Sequence, residues 1–364
     1  MGEQRRTVGS RKLEARRAAG RIVPGPPTRE TRTMLKVGSD FYILASSLAS
    51  RRATRVLADG ESFAVFETGG DILESPLEAL GFFRSDTRYL SQFELRIASE
   101  TPYFLNSYLS DDNAQLRVNL TNPDLGIHGG AIHLRRDEIQ IERSWVLADP
   151  AMFHRLRVRN YTRSPVQLPF EFTFAVDFAD LFEVRGIKRK RRGDFFAPKV
   201  GANSVTFSYK GLDKARRMAE IVFQQKPHAL SSNRASFLLD LKPDAQADLE
   251  IRITGQSEGD TSAWPNHPRS RLHRFDQALT ARRTQIANLE AECARIGTNN
   301  ELFDSLLRRS AADLTSIISQ RPSGTFMMAG IPWFATLFGR DTSQLFNSST
   351  DERLSAARAW PCRP

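Results

Sequence analysis

The chain has 364 residues, of which 40% are hydrophobic and 26% charged, and its formal net charge is +10. The apolar content and the 24 phenylalanines are enough to form a core, which excludes a wholly disordered chain. No run of about 18 uncharged apolar residues and no signal-like apolar stretch occurs, so we expect a cytoplasmic protein without a membrane span. The two cysteines, Cys293 and Cys362, lack the spacing of a metal or redox site.

Residues 1–36 carry most of the positive charge, with ten Lys or Arg against three Glu. The segment has few apolar residues and a Pro-Gly-Pro-Pro break at 24–27, so we expect a basic disordered tail. Such a tail could be a solvated extension or a nucleic-acid-binding arm. It could also be translated from an early start, with Met34 as the true initiator.

From about Phe41 to Thr254, apolar and polar residues alternate, which is the period of half-buried strands. The clearest run is Val166–Phe178, in which every second residue is apolar. Turn signals such as Gly69-Gly70 separate the runs, and no helical pattern lies between them. The pattern predicts a mainly β fold, a large antiparallel structure of two packed sheets.

After Trp264–Pro268 the apolar period becomes helical. Apolar residues spaced by three, four or seven predict one long helix that ends near Gly297. Asn299 or Asn300 is placed to cap a second helix, which we expect to continue through Ile318. This second helix is apolar over a wide arc, so we expect it to have neighbours on more than one side.

Residues Gly330–Asp341 (GIPWFATLFGRD) combine an aromatic residue with an adjacent arginine and aspartate. Aromatic rings pack against the C–H face of a pyranose, and an Arg-Asp pair can bind hydroxyls that both donate and accept. Trp333, Arg340 and Asp341 are therefore candidate substrate-binding residues. The alternative is structural: Asp341 and Gln344 could form a helix capping box, and Trp333 could fill a core.

Other charged groups offer weaker hypotheses. Asp86 and Arg88 could lie on a loop that faces a catalytic domain, or could form a structural pair at the start of a strand. The acidic residues between Asp177 and Glu183 fit a strand end and a turn better than a catalytic role. The basic run 185–192 could be a nucleic-acid patch or a solvated hairpin tip. The six histidines occur singly, without the spacing of a metal site, and no phosphate-binding glycine loop is present, so we expect no metal and no cofactor.

Several blocks, in order along residues 38–344, resemble the bacterial glycogen debranching enzyme family of the amylo-α-1,6-glucosidase type. The blocks are Val56–Ile72, Gly81–Leu95, Leu120–Asp124, Phe174–Gly186, Tyr209–Asp213 and Gly330–Asp341. The resemblance implies an N-terminal β-supersandwich followed by an (α/α)6 glycosidase barrel. It also implies that Arg340 and Asp341 bind hydroxyls of the sugar that is cleaved, with Trp333 beside them.

The resemblance divides the chain into a sandwich (38–256), a linker helix (268–297) and the start of the barrel (298–344). Residues 345–364 (LFNSSTDERLSAARAWPCRP) depart from the family pattern and read as a frameshift or an early stop. We therefore expect a truncated barrel without the catalytic acid and base, so that enzymatic activity is uncertain and no catalytic residue is assigned. The expected ligand is an α-glucan such as glycogen or maltooligosaccharide.

Two alternatives remain open at this point. One is a non-catalytic carbohydrate-binding or assembly module, and the other is a nucleic-acid binder through the basic tail. Because the second helix would have lost the barrel that buries it, self-association through its apolar surface is a further expectation.

Overall fold

The structure of the protein is a computed structural model that describes residues 34–37, 40–43, 53–75, 78–128, 131–258, 273–292, 297–321 and 324–335. Most of the basic tail (1–36) and all of residues 345–364 lie outside the described residues. The strands of the described part are β1 (Met34–Val37), β2 (Asp40–Ile43), β3 (Thr54–Asp59), β4 (Ser62–Glu67), β5 (Gly81–Arg84), β6 (Thr87–Leu90), β7 (Gln92–Ile97), β8 (Tyr103–Leu109), β9 (Gln115–Thr121), β10 (Leu125–His128), β11 (Ala131–Leu134), β12 (Ile139–Ala148), β13 (Ala151–Asn160), β14 (Val166–Ala175), β15 (Asp194–Val200), β16 (Ser204–Lys210), β17 (Arg216–Phe223), β18 (Ala229–Leu230), β19 (Arg234–Leu241), β20 (Gln246–Ser257), β21 (Ile318–Arg321) and β22 (Gly324–Met327). The helices are α1 (Leu181–Val184), α2 (Phe275–Glu292) and α3 (Glu301–Ser316).

The largest sheet has eight strands in the order β15-β16-β17-β20-β13-β12-β9-β8. Two four-stranded sheets, β18-β19-β14-β7 and β3-β4-β5-β6, supply the strands that face it. Ile72, in the connection between β4 and β5, exchanges backbone hydrogen bonds of 3.0 and 2.7 Å with Phe93 of β7. The strands pair antiparallel, as between β12 and β13 or β14 and β19. The prediction of a mainly β, antiparallel sandwich is confirmed.

Alternate side chains of the strands fill the space between the large sheet and the smaller ones. In β14 every second residue from Leu168 to Phe174 is buried, as its alternating sequence predicts. Phe172 contacts Phe93 of β7 with ring centroids 5.3 Å apart, and Phe93 contacts Trp145 of β12 at 5.3 Å. One continuous apolar core therefore connects the sheets.

Helix α2 packs against β12 and β13 of the large sheet, where Phe275 meets Val146 in a separate apolar cluster. Arg282 of this helix is 2% exposed. Its guanidinium donates to Asp59 Oδ1 at 2.7 Å and to the carbonyl oxygen of Ala58 at 2.8 Å. Because a buried guanidinium needs such partners, these bonds fix the helix to β3.

Helix α3 begins at the predicted cap, since Asn300 Oδ1 accepts hydrogen bonds from the amides of Leu302 and Phe303 at 3.0 and 3.1 Å. Only Ala312 and Thr315 of the helix are buried. Four large apolar side chains of α3 are exposed, and they are Leu302 (82%), Phe303 (49%), Leu306 (59%) and Leu314 (45%). Neighbours on more than one side are therefore not seen among the described residues.

The second helix does not continue through Ile318, so this part of the sequence prediction is wrong. Helix α3 ends at Ser316, and Ile318 begins β21, where it pairs with Met327 of β22. Ile317 and Ile318 are β-branched, which favours the extended backbone of a strand over a helix. The resulting hairpin leads the chain back toward the sandwich, where the next turn carries Trp333.

Candidate functional site

The turn after β22 holds Trp333 against the sandwich. Gly330 and Phe334 close this turn by exchanging backbone hydrogen bonds of 3.2 and 2.9 Å. Ile331, Trp333 and Ala335 are partly buried and pack against the main core. Phe334 is 44% exposed. The turn therefore places one aromatic ring partly in the core and presents the next to solvent.

A long connection between β14 and β15, residues 176–193, meets this turn and is called here the sandwich loop. Its first part continues along β6. The amide of Arg88 donates to the carbonyl oxygen of Ala179 at 2.8 Å. The amide of Leu181 donates to the carbonyl oxygen of Asp86 at 3.1 Å. These backbone bonds hold the sandwich loop in place at the end of the sheet.

The single turn of α1 within the sandwich loop is closed by a capping box. Asp180 Oδ1 accepts from the amide of Glu183 at 2.9 Å, and Glu183 Oε2 accepts from the amide of Asp180 at 3.2 Å. Arg185 follows as the C-cap residue, and Gly186 then adopts a φ of +99°, a conformation that glycine favours. The capped turn thereby sets the position from which Arg185 reaches out.

Arg185 connects the sandwich loop to the Trp333 turn. Its Nη2 donates to the carbonyl oxygen of Trp333 at 2.6 Å. Its guanidinium carbon lies 4.9 Å from the ring centroid of Trp333 and 5.5 Å from that of Phe334. Burial lowers the pKa of the Arg185 guanidinium from its ordinary value. These three residues, Arg185, Trp333 and Phe334, are called the Trp333 site.

The chemistry of the Trp333 site is that of a binding surface. Two aromatic rings offer apolar faces and edges, and the arginine that contacts both supplies hydrogen-bond donors. Cation–π contacts of this kind are worth about 0.5–2 kcal/mol, so they help to hold the rings in one orientation. A neutral ligand that has both apolar faces and hydroxyl groups matches this combination.

The carboxylates of the sandwich loop are held in ion pairs rather than presented to a ligand. Each has an arginine partner in the neighbouring strand or within the loop, and the pairs are Asp177–Arg88 (2.5 Å), Asp180–Arg189 (2.5 Å) and Glu183–Arg192 (3.0 Å). Asp180 and Glu183 also form the capping box. These contacts agree with the structural interpretation of the acidic residues.

The predicted site residues fall in different places. Trp333 lies in the turn described above, whereas Arg340 and Asp341 lie outside the described residues. Arg88 pairs with Asp177. Asp86 is exposed in the turn between β5 and β6, and its carbonyl oxygen binds the sandwich loop. Arg88 and Asp86 thus support the loop that reaches Trp333.

Sequence reasoning did not single out Arg185 and Phe334. Arg185 begins the basic run 185–192, where a solvated hairpin tip is one interpretation. The structure instead shows a connection between two sheets, and Arg189 and Arg192 of the run form ion pairs within it. Phe334 directly follows Trp333, so a search for adjacent aromatic residues would have found it.

The sandwich, which supplies Arg185 of the Trp333 site, matches a known family model. The model describes the N-terminal domain of some glycogen debranching enzymes and matches residues 57–252, more than half of the chain. The chain belongs to this family. The resemblance seen in the sequence blocks is thus confirmed for the sandwich.

Solved structures of low sequence identity align with this debranching-family chain. A protein from the human microbiome described as a kojibiose phosphorylase aligns with a TM-score of 0.50 at 11% identity, covering 75% of this chain. A bacterial glucoamylase, in complex with acarbose, aligns with a TM-score of 0.44 at 9% identity, covering 78% of this chain. The chain spans 40% of the former protein and 44% of the latter. No curated protein sequence matches the chain.

Neither a membrane-spanning helix nor a metal site is found among the described residues of the debranching-family chain. Among them, no helix has the length and apolar character needed to cross a membrane. No three His, Cys, Asp or Glu side chains of the described part come together as a group that could hold a metal ion.

Proposed function

We propose that the chain binds α-glucan through the Trp333 site and serves glycogen debranching of the amylo-α-1,6-glucosidase type. The contact that carries this proposal is the one between Arg185 and Trp333. It joins the sandwich to the motif in which Trp333, Arg340 and Asp341 are the candidate sugar-binding residues. The family membership supports the choice of glucan as the ligand.

In the same proposal, residues 38–256 form the sandwich domain, 268–297 the linker and 298–344 the first part of a glycosidase barrel. The exposed apolar side chains of α3 support this division. A helix with Leu302 at 82% exposure and Leu306 at 59% exposure has a face suited to packing against further helices. A second barrel helix would cover it.

The contribution that we propose for the described residues is binding and not hydrolysis. Inverting glycosidases need an acid and a base whose carboxyl groups lie roughly 6.5–9.5 Å apart across the scissile bond. The carboxylates of the sandwich loop are engaged by Arg88, Arg189 and Arg192. We therefore assign them no catalytic role.

Native affinity electrophoresis of the full chain in gels containing glycogen tests the binding proposal. We expect migration to slow as the glycogen concentration rises, with albumin in the same gel unaffected. Migration that does not depend on glycogen or on added maltoheptaose would contradict the proposal.

A parallel assay of glucose release from branched limit dextrin tests the proposed division between binding and hydrolysis. We expect no release above a buffer blank. Release that is lost in the Asp341→Ala variant would show that the chain hydrolyses the glucan itself.

A further inference from the structure

A second candidate binding site lies at the β8 edge of the large sheet, whereas the sandwich loop of the Trp333 site leads to β15 at the opposite edge. The β8–β9 hairpin and helix α2 line an open groove of about 450 Å³. Its lining includes Tyr108, Asp111, Gln115, Arg117 and Arg283. Pockets for small molecules have volumes of roughly 300–1,000 Å³, so this groove can hold a ligand of several rings.

The aromatic wall of the groove is Tyr108, which is 47% exposed. Tyr108 lies directly opposite Arg117 in the β8–β9 pair, and Arg117 Nη1 is 3.4 Å from the Tyr108 hydroxyl oxygen. An exposed ring beside a guanidinium offers an apolar face and hydrogen-bond donors side by side. This is the combination that also defines the Trp333 site.

Hydrogen-bonding atoms of the groove are free to meet a ligand. Asp111 is exposed, and among the described residues its carboxylate has no hydrogen bond or ion pair. Gln115 is 3% exposed and lines the groove. A ligand that binds the exposed Asp111 carboxylate gains a charge-assisted hydrogen bond.

The charges of the groove select the class of ligand. Arg283 pairs with Asp112 at 3.1 Å, which also anchors the hairpin to α2. Arg117 adds a second positive charge and Asp111 a second negative charge, so the net charge of these four side chains is zero. A phosphate or a nucleic acid would meet the aspartates, and a purely apolar ligand would leave the polar groups unpaired.

We propose that this groove is a second binding site for a neutral oligosaccharide. Tyr108 packs against one sugar ring, and Arg117, Asp111 and Gln115 bind its hydroxyl groups. A site on the sandwich itself would hold a branched polymer at a second point, which raises the overall affinity through effective concentration.

Isothermal titration of the full chain with maltoheptaose tests this proposal in a Trp333→Ala background, which removes the ring of the Trp333 site. We expect Tyr108→Ala and Asp111→Asn each to weaken the remaining binding by about tenfold, the loss of one stacked ring or one charged hydrogen bond. Tyr103→Ala is the matched control, because Tyr103 is on the same strand, is 51% exposed and does not line the groove. It should change the affinity by less than about twofold.

Each result bears on one site. Absence of maltoheptaose binding in the Trp333→Ala chain, or an equal loss in the Tyr103→Ala control, overturns the groove proposal. An effect of Tyr108→Ala with none of Trp333→Ala alone supports the groove and contradicts the proposed Trp333 site. Urea unfolding midpoints that match those of the unmodified chain confirm that each variant is folded.

Discussion

Arg185 donates a hydrogen bond of 2.6 Å to the carbonyl oxygen of Trp333, across 148 positions of sequence. Its guanidinium also lies against the rings of Trp333 and Phe334. A residue at the end of a capped turn in the sandwich thus determines where the aromatic pair sits. The orientation of the Trp333 site therefore depends on the sandwich as well as on its own turn.

Replacing Arg185 by Lys should loosen the Trp333 turn. Lysine keeps the charge but lacks the planar group that contacts both rings and the carbonyl oxygen. We expect hydrogen–deuterium exchange in a peptide covering residues 330–335 to be about fivefold faster. Arg191→Lys is the control, because Arg191 is an exposed residue of the same loop. Unchanged exchange in Arg185→Lys would show that the contact does not hold the turn.

The Arg88–Asp177 pair should stabilise the sandwich loop. Arg88 binds both carboxylate oxygens of Asp177, and the two side chains are 15% and 29% exposed. Partly buried, bidentate ion pairs are stronger than exposed ones. Asp177→Asn should therefore lower the free energy of unfolding, measured by urea titration, by about 1–2 kcal/mol. Asp194→Asn, on the exposed edge strand β15, should have almost no effect. Equal losses in both variants would argue against a specific role for the pair.

Asp149 should make stability depend on pH. Burial raises the pKa of this carboxyl from 3.8 to about 6, although the charge of Arg84 opposes the shift and Asp59 adds to it. The folded protein therefore holds the proton more tightly than the unfolded chain does. The contribution of Asp149 to stability is fully present below about pH 4 and is lost as the pH rises through about 6.

Asp149→Asn removes this titration. We expect the unmodified chain to lose stability relative to the variant between about pH 4 and pH 6, by roughly 3 kcal/mol at most. Urea unfolding at four pH values across this window measures the difference. A difference that is constant with pH, or that changes in the opposite direction, would contradict the raised pKa.

The exposed face of α3 should drive self-association. Leu302 and Leu306 are among its most exposed apolar side chains, and contiguous apolar surface of this kind favours association. We expect light scattering of the full chain to show a mass that rises with concentration, and the double variant Leu302→Lys, Leu306→Lys to reduce it. Leu212→Lys is the control, since Leu212 is 61% exposed in a turn of another part of the protein. Equal masses for all three proteins would contradict this expectation.

The sandwich was predictable because its signal is local. The alternation in β14 specifies which residues face the core, and Asn300 specifies where α3 begins, since both depend on residues a few positions apart. The end of α3 was not predictable from apolar spacing, because Ile318 fits the helical pattern and yet pairs with Met327 in a hairpin.

The Trp333 site was predictable only in part. The motif identified Trp333, but the contact with Arg185 joins segments far apart in the sequence, and nothing local in the basic run distinguishes Arg185 from its neighbours. Likewise, nothing in the sequence around Arg88 indicates that it pairs with Asp177, which lies in the sandwich loop. Such long-range partners follow from the topology and not from composition.

The affinity of the full chain for maltoheptaose, measured with and without the Trp333→Ala substitution, tests the binding role of the Trp333 site most directly. We predict that the variant binds about tenfold more weakly, because one stacked ring is lost. Tyr161→Ala is the matched control: Tyr161 is 52% exposed and lies against Arg159 at 4.9 Å, and its removal should leave the affinity unchanged. An affinity that is the same in Trp333→Ala and in the unmodified chain would contradict the proposed α-glucan site.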